Sequence, residues 1–378
     1  MHTKPFNRLL MFSGGGSRFG YYLGAYAALV DHQLIPDIIL ASCGGSLAAA
    51  LVDIAPESDQ LKQLATSKTL HTMLQRIESK PPPYLHSHTY HSLKRAFYYL
   101  TGNAANTNSN HLRQELQRFA LFQIENEDTQ AWLDVDQLRA EVSTNRSASS
   151  PHSAPPAIAI VASRLVPDSN PAQLQQLVFF KNKVNIGSVN NKLFGLNENS
   201  ALHAIAPHRI HAQIKYVYEW SLADAVRASI ADMYYLPPWF IDGKDQKNAL
   251  GWCLGGVIDL TPIELATGLA DCVFAETKAR YDRILAVPAI KRVFGFDPNQ
   301  RLKQVLQFQP DSNTTLHWLP FADNEIALEG QHTQKQFNFR AGLISLVHCN
   351  YADFVTQMNK QWEYGYQRTQ LYLNHHFN

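Results

Sequence analysis

The first fifty residues alternate between short apolar runs and breaks made of the smallest residues. Leu9 to Phe12 is apolar and stops at "SGGGS", and "YYLGAYAALVDHQL" then carries apolar and small residues at helical spacing. The pattern repeats: Pro36 punctuates, "DIILA" is a second short apolar run, "SCGG" a second tight break, and "SLAAALVDIA" a second buried helix. Two strand, turn, helix units in succession predict an α/β core with a mainly parallel sheet flanked by helices.

Beyond Pro56 the texture changes. Polar helical segments ("ESDQLKQLATSKTLHTMLQRI", "HLRQELQRFALF") are interrupted by "KPPPY" and "TGNAANTNSN", which marks residues 56–142 as a helical insertion or lid. Residues 143–156, "STNRSASSPHSAPP", are Ser/Pro-rich and unable to pack a core, so they read as a linker. "AIAIVAS" from Ala157 returns to the sheet, and "LQQLVFF" from Leu174 is a further strand. "SLADAVRASIA" from Ser221 is helical, and "RILAV" and "KQVLQF" are expected as late strands. The core therefore spans 1–55 and 157–310. Residues 311–378 are expected to be a helical region ending in one long amphipathic helix or a pair.

Composition narrows the partners. With 378 residues, 45% of them hydrophobic, the chain can bury a sizeable core. Its 33 basic and 32 acidic side chains leave a net charge of +1, which points neither to nucleic acid nor to an anionic membrane surface. Cys43, Cys253, Cys272 and Cys349 show no CxxC or His/Cys spacing, so no metal, no cofactor and no disulfide framework is expected, and a cytoplasmic chain of reduced thiols is. The opening residues, with Lys4, Pro5 and Arg8, leave no room for a signal peptide's apolar region. The longest apolar run, Ile38 to Leu51, is broken by Ser42, Gly44, Gly45 and Ser46, so no membrane span is expected.

The two breaks carry the candidate chemistry. "SGGGSR", between a strand and a helix, exposes consecutive backbone N–H groups in an anion-binding geometry. A dinucleotide turn fits it loosely, because Phe19 stands where the third glycine belongs, and a P-loop lacks its Gly-Lys-Ser/Thr. A plain tight turn and an oxyanion hole remain, and a nucleophile after the next strand decides between them. At Ala41-Ser42-Cys43-Gly44-Gly45 the residues flanking Cys43 are all small, as a nucleophile elbow requires. An elbow sits at a helix N-terminus, which is expected to lower a thiol's pKa. Cys43 as a small buried hydrophobe is the competing account. Ser42 should point back to the sheet, and Ser46 lies a turn into the helix.

These motifs resemble the patatin-like phospholipases. "LLMFSGGGSRFG" is similar to their opening strand and GGGxRG oxyanion loop, and "DIILASCGGSLAAAL" to their elbow. "SLADAVRASIADMYYLPPWFIDG" with "GWCLGGVIDLTPIELA" resembles their A-x-R-A-S helix, Pro-rich turn and DGG/A loop. The resemblance runs from about Leu9 to Ala266 and implies a three-layer α/β fold with a Ser/Asp dyad acting on acyl esters of lipids. It implies oxyanion donors at Gly14, Gly15 and Gly16, with Gly44 beside the nucleophile, and supporting roles for Arg18, Gly45, Gly255 and Gly256. The elbow serine corresponds to Cys43 and the dyad aspartate to Leu254, so both catalytic side chains depart from the family pattern. Asp259, five residues beyond Leu254, matches a different place in the loop.

Together the departures leave three accounts. In the first, Cys43 forms a thioester from an activated lipid acyl donor, and transfer to an acceptor is favoured over hydrolysis because position 254 offers water no base. In the second, the chain is an inactive scaffold that binds an acyl chain or a partner protein. In the third, it is a lipid acyl hydrolase with a cysteine nucleophile and a non-standard base. One of the 16 histidines is a candidate partner for Cys43, although His348 reads as a packed or surface residue. "AFYYL" and "MYYLPPWF" are candidate linings for an acyl channel. A carrier protein or a second copy of the chain is a possible partner, and membrane contact is expected to be peripheral at most.

Overall fold

The computed structural model describes residues 4–80, 107–144, 155–181, 199–242, 249–283, 286–338 and 343–377. Residues 145–154 of the Ser/Pro-rich stretch thus lie outside the described residues, as does "AFYYL".

Its centre is a mixed, mostly parallel sheet. Strand β1 (Phe6–Ser13) runs into the glycine break and then helix α1 (Gly20–Asp31), and β2 (Ile38–Ser42) runs into α2 (Gly44–Ile54), as the alternating pattern predicts. The insertion follows with α3 (Ser58–Ala65), α4 (Lys68–Gln75), β3 (Ile77–Ser79), α5 (Ser109–Phe119), β4 (Phe122–Ile124) and α6 (Val135–Thr144). Among the described residues of this stretch the elements are helices apart from β3 and β4, which pair as a small antiparallel ribbon.

The chain then returns through β5 (Ala157–Leu165), β6 (Leu174–Phe180), α7 (Ser200–Ile205), β7 (Lys215–Tyr218), α8 (Leu222–Ile230), β8 (Trp239–Ile241) and β9 (Gly251–Leu254). Helix α9 (Ile263–Leu269), β10 (Ala270–Glu276), α10 (Ala286–Phe294), α11 (Pro298–Gln307) and β11 (Thr315–Leu319) close the core. The sheet order is β11-β10-β1-β2-β5-β6-β7, with β9 also on β5 and β8 on β9. Neighbours from β11 to β5 are parallel, while β6 and β9 meet β5 antiparallel. β1 and β2 are buried on both faces, which is why they read as unbroken apolar runs rather than as alternation.

Late elements differ from expectation. "KQVLQF" lies mostly in α11, whose Arg301, Leu302 and Val305 face inward at helical spacing. Residues 286 and 287 of "RILAV" begin α10 rather than a strand, and 284–285 lie outside the described residues. The terminal region is not purely helical: β11 adds to the sheet edge through β10, and β12 (Gln334–Asn338) and β13 (Leu343–Val347) form a hairpin after the short α12 (Asn324–Ala327). The expected long helix is α13 (Tyr351–His376). It packs against α1 at backbone distance, because a Cβ on Gly24 would lie 2.0 Å from Trp362 O and one on Gly365 would lie 1.9 Å from Tyr21 O. Gln361, on α13 and 1% exposed, accepts from the Gly20 N–H at 2.9 Å and donates to Ser17 O at 3.2 Å. The terminal helix thereby caps the start of α1 and steadies the glycine break before it.

Candidate active site

Cys43 occupies the turn between β2 and α2 with φ 49° and ψ −127°, a region that costs a non-glycine residue on the order of 1–3 kcal/mol. Close packing explains the small residues around it. A Cβ on Gly44 would lie 2.4 Å from Gly16 O, and one on Gly45 would lie 2.2 Å from Phe12 O, so both glycines are required by the β1 loop that presses on them. The two breaks seen in the sequence are therefore one structure, with the glycine loop lying across the elbow.

The backbone of the elbow is tied down from the other side by α8. Ser229 Oγ accepts from the Cys43 N–H at 2.8 Å and donates to Val161 O at 2.7 Å, bridging the elbow to β5. Arg227, two residues earlier on α8 and 4% exposed, forks onto Glu127 of the insertion, with Nη2 to Oε2 at 3.0 Å, and stacks over Trp239. Ser42 Oγ donates to Leu260 O at 2.9 Å and Ser46 Oγ to Cys43 O at 2.6 Å, so both rival hydroxyls are committed to carbonyls.

The residue that sequence reasoning missed is Asp232. Directly beyond α8, its Oδ2 accepts a hydrogen bond from the Cys43 thiol. Leu254 is buried on β9, where it pairs with Ser163, so the carboxyl that reaches the elbow comes from the segment after α8 and not from the position the family pattern implies. Gly255 makes the room: a Cβ there would lie 1.9 Å from Asp232 Oδ1. The Val257 backbone N–H also bonds the carboxylate, while Oδ1 is buried without a hydrogen-bond partner. A signal was present, in that Asp232 follows Ser229 of the A-x-R-A-S segment by three residues, close enough to reach whatever Ser229 holds.

Electrostatics of the pair reverse one expectation. Burial, then the adjacent Asp232 charge and its hydrogen bond, push the Cys43 thiol well above its ordinary pKa, and these outweigh the Gly44 N–H that pulls it down. The helix N-terminus does not produce a standing thiolate here. Burial lifts Asp232 to about 7, against the opposing hydrogen bonds from Cys43 and Val257. A neutral thiol beside a carboxyl that titrates near neutrality is arranged for proton transfer between the two.

The other candidates separate. Gly14, Gly15 and Gly16 all have positive φ, at 94°, 84° and 55°. The Gly14 N–H, however, already donates to Ser42 O at 3.0 Å and Phe12 O at 3.3 Å, because the loop folds back on the ends of β1 and β2. Gly14 is thus corrected from the donor set, leaving Gly15, Gly16 and Gly44. Arg18 pairs with Glu325 of α12 at 3.2 Å and so links the loop to the terminal region. Gly256 packs under the elbow, where a Cβ would lie 2.9 Å from Cys43 N. Asp259 is clamped by Arg301, with Nη2 to Oδ2 at 2.8 Å and Nε to Oδ1 at 3.2 Å. His348 bonds Ile77 O at 2.9 Å, on the β3 ribbon. Within "MYYLPPWF", Tyr234 and Leu236 are core residues, and Phe240 is 45% exposed. Among the described residues, no group of three or more His, Cys, Asp and Glu side chains is placed to hold a metal ion.

The profile of the patatin-like phospholipase family matches residues 10–267, from β1 through the elbow to α9. The chain belongs to the patatin-like phospholipase family. A patatin-like phospholipase domain-containing protein of Emericella nidulans is 40% identical over 67 residues, covering 18% of this chain and 9% of that protein. One of Aspergillus niger is 38% identical over 77 residues, covering 20% and 10%. The matched segment is thus about a tenth of those relatives' length. VipD from Legionella pneumophila aligns over 98% of this chain and 67% of its own, with a TM-score of 0.36 and 12% identity. Among the described residues, no helix is long and apolar enough to cross a membrane.

Proposed function

We propose that the chain is a lipid acyl hydrolase of the patatin-like type in which Cys43 is the nucleophile and Asp232 the base. The hydrogen bond from the Cys43 thiol to Asp232 at the foot of the glycine loop carries this reading. Because the thiol is held neutral, it needs a base as a serine hydroxyl does.

In the first half-reaction Sγ attacks the ester carbonyl carbon while its proton passes to Asp232. The carbonyl oxygen becomes an oxyanion facing the amides of Gly15, Gly16 and Gly44. The C–O bond to the alcohol then breaks, the leaving alkoxide takes the proton back from Asp232, and a thioester remains on Cys43. In the second half Asp232 takes a proton from water as its oxygen attacks the thioester. The C–S bond breaks, the fatty acid leaves and the thiolate is reprotonated. Position 254 without a carboxyl favours transfer to an acceptor other than water; Asp232 restores the base that hydrolysis needs.

Intact-mass analysis of the purified protein incubated with p-nitrophenyl acyl esters, phospholipid vesicles and acyl-CoA tests the proposal. A covalent acyl adduct on Cys43, lost in Cys43→Ala and formed at least about a hundredfold more slowly in Asp232→Asn, is the expected result. Release of free acid from the adduct identifies a hydrolase. Discharge only to an added alcohol or thiol identifies an acyltransferase. No adduct with any donor, in protein that still binds acyl chains, overturns the proposal in favour of an inactive scaffold.

A further inference from the structure

The Gly14 N–H is spent on Ser42 O and Phe12 O, which leaves the glycine loop one donor short, while the Cα face of Gly14 looks toward the end of β10. A cation stands there. A Cβ built on Gly14 would lie 3.8 Å from Lys278 Nζ, so the ammonium sits over the loop backbone just beyond the C-terminal end of β10. Lys278 is only 13% exposed, and it is fixed rather than free to sweep, because Nζ pairs with Glu276 Oε1 at 2.7 Å.

Glu276 is itself held. Two phenols at the start of α1 donate to it, Tyr22 to Oε1 at 2.6 Å and Tyr21 to Oε2 at 2.8 Å, and the carboxylate is 2% exposed. Burial and the neighbouring Glu276 charge raise both phenols well above their ordinary pKa, so they stay protonated and keep donating. Two fully buried tyrosines and a buried glutamate therefore converge on one lysine whose far end meets the glycine loop. A surface ion pair would need none of this. The fold closes both ends of the arrangement, since Tyr21 and Tyr22 lie on the helix that begins at the loop and Glu276 ends the strand parallel to β1.

We propose that Lys278 is an oxyanion-stabilising cation of the Cys43 site, positioned by Glu276, Tyr21 and Tyr22. The assignment rests on Cys43 being the nucleophile. The same ammonium opposes the raised thiol pKa at Cys43, which gives a readout that needs no turnover. Other charged or titratable groups also act on the Cys43 site: Asp232 on the bonded side, Tyr235 and Tyr281 beside the pair, and Lys335 of the β12 hairpin. The test therefore changes Lys278 alone.

Alkylation of Cys43 by iodoacetamide, followed by peptide mass across pH 6 to 10, is compared in wild type, Lys278→Met and Lys278→Arg. The expected result is a threefold to tenfold slower alkylation at pH 7.5 in Lys278→Met, from a thiol pKa raised further, with most of the loss restored in Lys278→Arg. If ester turnover is present, kcat falls in Lys278→Met while KM stays, because an oxyanion exists only in the transition state. An alkylation profile that is unchanged in Lys278→Met, or slowed equally in Lys278→Arg, overturns the proposal. Neither result depends on whether an acyl adduct forms, so this inference and the proposed hydrolase fail separately.

Discussion

Two aspartates near the end of the family domain lie on either side of the Gly255-Gly256 turn and have opposite surroundings. Asp259 is 5% exposed and receives a bidentate guanidinium from Arg301, which also forks onto Glu264. Asp232 is likewise enclosed, but among the described residues no cation pairs with it, and its Oδ1 is buried without a hydrogen-bond partner while Oδ2 takes the thiol proton. A buried carboxylate with a matched cation spends its oxygens on structure: burial raises Asp259 too, but the Arg301 charge and hydrogen bonds pull against that rise. One without a cation keeps a proton affinity near neutrality and can exchange that proton with a neighbour. Asp259 is thus a clamp on the loop that carries Leu260 against Gly14, and Asp232 is the group available for chemistry.

The sharpest way to break this contrast is to remove each charge without changing its shape. Asp232→Asn is expected to lower acyl-enzyme formation about 10²- to 10⁴-fold, the usual contribution of a general base, and to leave the fold intact. Asp259→Asn is expected to do the reverse: turnover per folded molecule stays within a fewfold, while stability drops by about 2–4 kcal/mol because Arg301 is left partly unpaired in a buried place. Rates normalised to folded protein, with urea unfolding of both variants, check the pair. If Asp259→Asn abolishes the reaction in folded protein while Asp232→Asn does not, the two roles are exchanged and the proposed base is wrong.

Gly255→Ala probes the same contrast through space rather than charge. The new Cβ meets Asp232 Oδ1 at 1.9 Å and displaces the carboxyl from the thiol, so acyl-enzyme formation should fall at least about tenfold. Gly330→Ala is the control, since it too has a positive φ, 72°, but open space around its Cβ, and should cost stability alone. A Gly255→Ala protein that acylates at the wild-type rate would show that the Asp232 contact is dispensable.

The same comparison shows what the sequence made legible. The sheet's first two strands, the glycine loop and the elbow are local: each is a short apolar run ended by small residues, and the reason for those residues is packing within forty positions, Gly44 on Gly16 and Gly45 on Phe12. The carboxyl at Cys43 is not local. It crosses 189 positions, from the end of a helix whose Ser229 also bonds the elbow, and no periodicity reports where a side chain after a helix end will point. Expectation therefore settled on position 254, where the family keeps its aspartate, and found leucine. Gly14's engagement is no more legible, since a run of glycines does not say which amide faces outward. The late elements are illegible for a different reason: six residues of "KQVLQF" are too few to tell a strand from a helix, and the helical face shows only when Arg301 and Leu302 are included.

The smallest expected effect is on stability, and its sign separates the two aspartates once more. Burial raises Asp232 to about 7 in the folded chain, against about 3.9 when unfolded, so between those values the folded state binds a proton that the unfolded state has lost. Stability therefore falls as pH rises from about 4 to 7, and this site costs the protein most above pH 7. Asp232→Asn removes that cost. Its melting temperature relative to wild type should be lowest near pH 5 and should climb by a few degrees toward pH 8, flattening above the folded pKa. Asp259→Asn should melt below wild type at both pH values, because it leaves the buried Arg301 guanidinium short of a partner at either pH. Calorimetric scans of the two variants and wild type at pH 5, 6.5 and 8 measure the difference. A melting temperature of Asp232→Asn that instead falls relative to wild type as pH rises would mean the carboxyl is stabilised as an anion, and that the proton-exchanging Asp232 on which the proposed chemistry depends does not exist.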